Sequence, residues 1–380
     1  MEEDRSASFI ELFFDLVFVF GITQVVAFIH GHLDWPTLGK AAIVLLLLWW
    51  LWTQFTWAAG YADFDDLGPR SVLLAATAGT FALAVAVQGS YADDGGTFAL
   101  AYFGVMLLSA GFNIGRVWGT DEVSAFLAYL PRMLAGATLV LIGGFMSPDL
   151  RPWVWLAAVV VNFVSTIAVE SNEYRIEASH FAERHGLFVI IVLGEVLIAI
   201  GLGVVGQDFD TAFYVAGTAM LLTALAMWWS YFDWIFQTGE RALKAATGVA
   251  RGRLARDGYS IAHYPLIAGV VLFAIGTEEL LAHPADALSD ANRWAFVGGL
   301  ILFLVGESIM VRRFTHHVTW ERFVAMSLLA LVGLALGDLN AAALGATVCA
   351  VLIITLGVET IRHLDHLREL RSPSSTEAAH

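Results

Sequence analysis

Twelve apolar runs separated by short polar breaks recur along the whole chain, at 9–30, 37–60, 71–90, 97–116, 129–147, 152–170, 185–206, 211–236, 261–281, 292–311, 322–337 and 341–361. Each is close to the ~20 residues that cross a bilayer core as a helix. Inside lipid only helices and closed barrels satisfy their own backbone, and these runs are continuous rather than alternating. The expected fold class is therefore all-α, a polytopic membrane protein of about 12 helices. Composition agrees, with 58% hydrophobic and only 14% charged residues, where soluble domains carry about a quarter charged residues. The acidic start MEEDRSAS is followed by an apolar run without a small-residue cleavage site, so the first helix is expected to remain in the mature protein. The single cysteine, Cys349, excludes an internal disulfide and any multi-cysteine metal site; it reads as a small packing residue.

The basic residues give the bundle an orientation. With a cytoplasmic N-terminus, 17 of the Lys and Arg residues fall on the inner side against Lys40, Arg151 and Arg293 outside. This positive-inside bias predicts that both termini are cytoplasmic. The net charge of −15 then comes partly from outer loops such as Asp93-Asp94, Asp208–Asp210 and Glu278-Glu279, and a nucleic-acid partner is not expected. The chain also reads as two six-helix units of the same orientation. "LWTQFTW" at 51–57 aligns with "WWSYFDW" at 228–234, Glu11 falls opposite Glu183, and Ala78-Gly79 opposite Ala268-Gly269. The expected organisation is a repeat over 1–170, a cytoplasmic connector over 171–184, a second repeat over 185–361 and a partly disordered tail over 362–380.

Ionisable side chains at membrane depth are costly, so each needs a partner, water or a function. Glu195, in "ERHGLFVIIVLGEVLIAI", lies ten residues past His185 and is expected near the bilayer midplane. Asp15, in "ELFFDLVFVF", sits inside the first helix among Phe13, Phe14, Leu16 and Phe18; it suits ion coordination, proton transfer or a salt bridge to an inner arginine. Ser8 and Glu11 fit a capping box that starts the same helix, with Glu11 reaching back to the Ser8 amide. Between the sixth and seventh runs, "ESNEYRIEASHFAERHG" brings Glu183, Arg184 and His185 beside the opening of the Glu195 helix, with His180 and Arg184 on one face at i,i+4. The spacing is not that of a zinc-protease motif, and no metal site or cofactor is expected. Asp233 near the end of the eighth run, His263 near the start of the ninth and Glu307 in the tenth complete the candidates. Glu307 precedes Arg312 by five residues and is expected to pair with it or with Arg313. Pro265 is expected to kink the chain after His263 and to favour a cavity there. The tryptophan-rich helix ends read as interfacial belts. No phosphate-binding loop, dinucleotide fingerprint or nucleophile elbow is present.

Taken in order, "ELFFDLVFVF", "YADFDD", "ERHGLFVIIVLGE", "WWSYFDW" and "YSIAHYPLIAG" resemble the bacterial low temperature requirement A family over nearly the whole chain. The resemblance implies a multi-pass bacterial inner-membrane protein named for a cold-growth phenotype, and implies no particular molecular activity. The family's midplane motif is Gly-Glu-Ser, whereas here Val196 follows Gly194-Glu195. Phe14-Asp15 followed by Val and Phe is also similar to the first-helix Phe-Ser-Asp motif of a bacterial and lysosomal potassium-channel family, with Phe14 in place of the serine.

The residues favour a secondary transporter in which Glu195 and Asp15 bind a proton or monovalent cation and His263, Asp233 or Glu307 relay it, with Glu183 and His185 as further candidates for the path. The solute is an unidentified small molecule, membrane lipids are the other expected partners, and no catalytic residue is assigned. Two readings stay open beside it: an intramembrane lipid-handling enzyme or lipid-binding protein, and a non-catalytic scaffold or sensor in which the polar groups only join helices.

Overall fold

The computed structural model of the protein describes residues 6–362 apart from Gly31, Tyr61, Asp63, Glu122, 169–175, Gln207 and Asp208. Glu170 at the end of the expected first repeat, Glu173 and Arg175 of the expected connector, and the tail beyond Arg362 lie outside the described residues.

Every apolar run is a helix, and among the described residues there are twelve continuous helices. They are α1 (Phe9–Ile29), α2 (Trp35–Ala59), α3 (Leu67–Val85), α4 (Gly95–Val117), α5 (Val123–Gly144), α6 (Arg151–Ala168), α7 (Ala178–Gly203), α8 (Thr211–Ala245), α9 (Gly248–Ala282), α10 (Asp290–Thr315), α11 (Trp320–Ala335) and α12 (Ala341–Arg362). Ten are long and apolar enough to cross a membrane; α6 and α11 are the two that fall short. The chain is thus an all-α, multi-pass membrane protein.

Three helices outrun their apolar windows. The sequence ends the eighth run at 236 and starts the ninth at 261, yet α8 continues to Ala245 and α9 begins at Gly248. These extensions, "QTGERALKA" and "GVARGRLARDG", are polar but helix-forming, and Lys244 pairs with Glu240 one turn away at 2.9 Å. Each long helix contains a π turn, at Tyr231–Ile235 in α8 and at Ala255–Ile261 in α9. The second lies just before Pro265, where the missing N–H interrupts the regular pattern. Helix α7 starts at Ala178 rather than near His185, capped by Glu177, whose carboxylate accepts the N–H groups of Ser179 (3.1 Å) and His180 (2.5 Å). Asp34 caps α2 in the same manner by accepting the Thr37 N–H at 2.8 Å, which holds its carboxyl below the usual range.

By packing, the chain forms two compact units. The first comprises residues 1–192 and 246–264, so it holds α1 to α6, the opening of α7 and the start of α9. Within it α1 packs on α2 and α3, and α3, α4, α5 and α6 follow one another in sequence. The second comprises residues 193–245 and 265–380, with α8 on α12, α12 on α11 and α11 on α10.

In the first unit a single arginine ties several loops together. Arg151, 5% exposed, donates to the carbonyl oxygens of Ser90 (2.7 Å), Ala92 (2.8 Å), Gly143 (3.3 Å), Gly144 (3.2 Å) and Met146 (3.1 Å). It therefore satisfies carbonyl groups around the α3–α4 connection and the end of α5, of which those of Ser90, Gly143 and Gly144 are buried. Beside it, burial pushes the Tyr91 phenol up, so the neutral hydroxyl donates to the Lys40 carbonyl at 3.0 Å. Arg151→Met is expected to cost at least about 3 kcal/mol, because the orphaned carbonyl groups keep their desolvation penalty. Arg151→Lys should lose less, since it keeps the charge but not the planar fork. Thermal melts of the two variants in detergent check this, and equal loss would count against the fork.

Candidate functional site: two buried ion clusters

In the first unit, two pairs of polar residues meet that are far apart in sequence. Glu11 and Asp15 lie on one face of α1, and His180 and Arg184 lie on one face of α7, each pair separated by one helical turn. All four side chains are buried, with Glu11, Asp15, His180 and Arg184 each 0% exposed. Glu11 Oε1 accepts from His180 Nε2 at 3.0 Å and from Arg184 Nη1 at 3.2 Å. Arg184 Nη2 also donates to Asp15 Oδ1, which in addition accepts the Trp52 indole N–H at 2.7 Å. The Arg184 guanidinium lies 5.6 Å from the Trp52 ring centroid. Glu11 reaches back to the Ser8 N–H at 2.8 Å, while the Ser8 hydroxyl donates to the same carboxylate oxygen at 2.7 Å. One carboxylate therefore starts α1 and anchors α7 to it.

The remaining first-unit candidates extend this cluster through aromatic rings. The Trp52 ring meets the His185 edge at 4.9 Å between centroids, and His185 lies 5.1 Å from His263. Trp49 stacks on Trp52 at 4.8 Å, and Tyr259 stacks on His263 at 5.5 Å. His185 Nδ1 and His263 Nδ1 face the carbonyl oxygens of Phe181 and Tyr259 respectively, each at 2.9 Å and each one turn back on its own helix. Among the described residues, Asp15 Oδ2, Arg184 Nε and His185 Nε2 are buried without hydrogen-bond partners. Glu183 is half-buried and accepts the Ala7 N–H at 2.9 Å, which ties the segment before α1 to α7.

The second unit holds a cluster of similar chemistry on other helices. Arg322, at the head of α11, donates through Nε to Glu359 at 3.0 Å, through Nη1 to Glu307 and through Nη2 to Ser230 at 3.2 Å. The Ser230 hydroxyl donates to Glu307 Oε2 at 2.8 Å, and the Trp234 ring lies 5.7 Å from the guanidinium. Arg322 and Glu307 are 0% exposed and Glu359 only 2%. Glu307 Oε1 and Glu359 Oε2 are buried without hydrogen-bond partners among the described residues. Glu321, also buried, pairs with Arg362 at 2.7 Å.

Several expectations change here. Glu307 pairs with Arg322 across the α10–α11 turn instead of with Arg312 or Arg313 on its own helix; Arg312 turns to the His316 carbonyl. Asp15 pairs with Arg184 of α7. Glu195 is buried and belongs to the second unit; because α7 starts at Ala178, it lies about 7 Å past that helix's midpoint. Asp233 is half-buried in the π turn of α8, flanked by the cluster residues Ser230 and Trp234. The proposed relay thus divides between units, with Asp15, His185 and His263 in the first and Glu195, Asp233 and Glu307 in the second. Sequence reading passed over Arg322, Glu359 and Ser230. The available signals were an arginine opening an apolar run and a glutamate inside "LGVETIR".

The charges in these clusters do not cancel through the arginines alone. In the second unit one guanidinium faces two carboxylates, and in the first Arg184 faces two carboxylates with a histidine beside them. Burying a surplus charge is costly, and a proton on a carboxylate or a bound monovalent cation would lower that cost. Among the described residues no cluster of three or more His, Cys, Asp or Glu side chains is arranged to hold a metal ion.

The family described as "Bacterial low temperature requirement A protein (LtrA)" matches residues 6–357. A protein of Rhizobium meliloti (strain 1021), "Uncharacterized protein RA0937", is 28% identical over 344 residues, which is 86% of this chain and 82% of that protein. No solved structure matches the chain significantly.

Proposed function

Because this chain belongs to the bacterial low temperature requirement A family, we propose that it is a secondary transporter of the bacterial plasma membrane, with both termini cytoplasmic, that couples a small solute to a proton or monovalent cation. The observation that carries this reading is the surplus negative charge of the two buried clusters, above all Glu307 and Glu359 around the single Arg322. Intramembrane carboxylates whose neutralising charge is exchangeable are the usual parts of a proton or cation pathway. In the first unit Arg184 bonds both Glu11 and Asp15, and the His185–His263 pair adjoins the Trp52 ring that donates to Asp15. Duplicated halves suit the rocking of one repeat against another. Gly79 and Gly269, matched between the halves, support that duplication. A Cβ at Gly79 would lie 2.6 Å from Val105 Cγ2, and one at Gly269 would lie 2.6 Å from the Gly299 carbonyl oxygen, so both mark close helix approaches.

The test is flux in proteoliposomes under imposed pH and cation gradients, comparing the parent with Glu307→Gln and Asp15→Asn. Both changes are nearly isosteric and make their cluster neutral, so the folded protein should be as stable as the parent or more so. Flux is expected to fall at least about tenfold in Glu307→Gln. Parent-level flux in that variant, or no flux from the parent under any gradient, removes the transport reading. Flux loss that merely tracks a lower melting temperature points to the joining of helices.

A further inference from the structure

Charge can be counted residue by residue in the second-unit cluster. Among the described residues, Arg322 is the cation that bonds Glu307 and Glu359, and its Nε, Nη1 and Nη2 are each directed to one member of the cluster. Arg362 is taken by Glu321 at 2.7 Å, and Arg312 by the His316 carbonyl. Ser230 adds a hydroxyl and the neighbouring Tyr231 a phenol, and neither brings positive charge. With both carboxylates ionised the cluster would hold one uncompensated negative charge, on side chains no more than 2% exposed. Each carboxylate keeps one oxygen, Glu307 Oε1 on α10 and Glu359 Oε2 on α12, that is buried and accepts no hydrogen bond among the described residues. These two oxygens are the places left to receive the missing positive charge.

Resting on the transport reading above, we propose that the coupling ion at this site is a proton, held jointly by Glu307 and Glu359, and not a sodium or potassium ion. A metal cation of that kind needs several oxygen ligands arranged round it. Here Glu307 Oε2, Glu359 Oε1 and Ser230 Oγ already accept hydrogen bonds within the cluster. Two carboxylate oxygens remain, and neither borders a space that would admit water. An ion bridging them would also lie beside the Arg322 guanidinium and be repelled by it. A proton needs neither the space nor the further ligands. Bound as a carboxylic acid O–H on one of the two open oxygens, it makes the cluster neutral, and an unmade hydrogen bond of a neutral group costs far less than an isolated buried charge. Because one guanidinium serves both carboxylates, the proton belongs to the pair and not to either residue. Its release leaves both carboxylates ionised around Arg322, one positive charge short.

Infrared difference spectra of the purified full chain in detergent test the proton without relying on flux. Parent minus Glu307→Gln and parent minus Glu359→Gln are each expected to show the loss of one protonated-carboxyl band that shifts in heavy water, because the carboxylate left in either variant is matched by Arg322 and stays ionised. The neutral triple variant Glu307→Gln/Glu359→Gln/Arg322→Met should lose no more than either single one. No band lost in either single variant would overturn the proposal, and two bands lost in the triple variant would overturn the sharing of one proton. The parent alone gives a second reading should the variants fail to fold. Its melting temperature is expected to stay constant when sodium or potassium chloride replaces N-methylglucamine chloride at fixed pH and ionic strength; a saturable rise would show a bound metal cation and overturn the proton. Uptake of radioactive sodium or rubidium by parent proteoliposomes at equal pH on both sides, abolished in Glu359→Gln, would overturn it as well. Neither the spectra nor the melts use flux, so a chain that moves nothing under any gradient loses the transport reading while these two measurements still decide the proton.

Discussion

Arg184→Met destabilises the protein by about 3–5 kcal/mol, the cost of stranding a buried partner charge. The magnitude follows from the company Arg184 keeps, because it bonds Glu11 and Asp15 together and none of the three is exposed to solvent. Removing the guanidinium leaves two carboxylates with His180 and Trp52 as their remaining named side-chain partners on α7 and α2. The loss is not a measure of what the ion pairs contribute in the parent, since replacing a whole buried cluster by neutral groups of similar shape is often harmless. The triple variant Glu11→Gln/Asp15→Asn/Arg184→Met should therefore recover most of the stability lost by Arg184→Met alone. Melting curves in detergent decide the matter. If the triple variant is no more stable than the single one, Arg184 acts through packing against Trp52 and not through charge.

The second large effect is expected where α9 crosses α10 in the second unit. Gly269 and Gly276 on α9 are seven residues apart, as are Gly299 and Gly306 on α10, and the two pairs face each other's helix. A Cβ at Gly276 would lie 2.5 Å from Phe296 Cβ, and one at Gly306 would lie 2.6 Å from the Leu266 backbone nitrogen. Backbone atoms cannot rotate away as a flexible side chain can, so a larger residue must push the helices apart. Gly306→Leu is expected to cost more than about 3 kcal/mol, at or above the usual upper range for overpacking. Gly298→Leu, on the same helix but with nothing within 4 Å of the added Cβ, should be close to neutral. Equal effects from both would mean that helix propensity, and not the close crossing, sets the cost.

The helices were legible because lipid forces every backbone group to pair within its own segment, so apolar length alone marks a span. Their ends were less so. The continuation of α8 through "QTGERALKA" is carried by propensity and the Glu240–Lys244 pair, which a hydropathy window does not register. The π turn of α9 was visible only as Pro265, whereas the structure uses that turn to present the Ser260 carbonyl to the Trp49 indole at 2.7 Å. For the clusters, sequence identified Glu11, Asp15 and Glu307 but not their partners. Asp15 and Arg184 are 169 positions apart, and local spacing is silent about such pairs. For Glu307 the nearby Arg312 was the obvious choice, but a residue five positions on points away around the helix, while the turn after α10 returns Arg322 to it.

The matched spacing in the first unit also sets where α1 can rest along α7. Glu11 with His180 and Asp15 with Arg184 form two rungs of a ladder, each helix carrying its pair one turn apart. A slide of α1 by a single turn, about 5.4 Å, would leave one of the two carboxylates without its α7 partner. The two matched pairs therefore fix the register of α1 along α7, as the teeth of a key fix its depth in a lock.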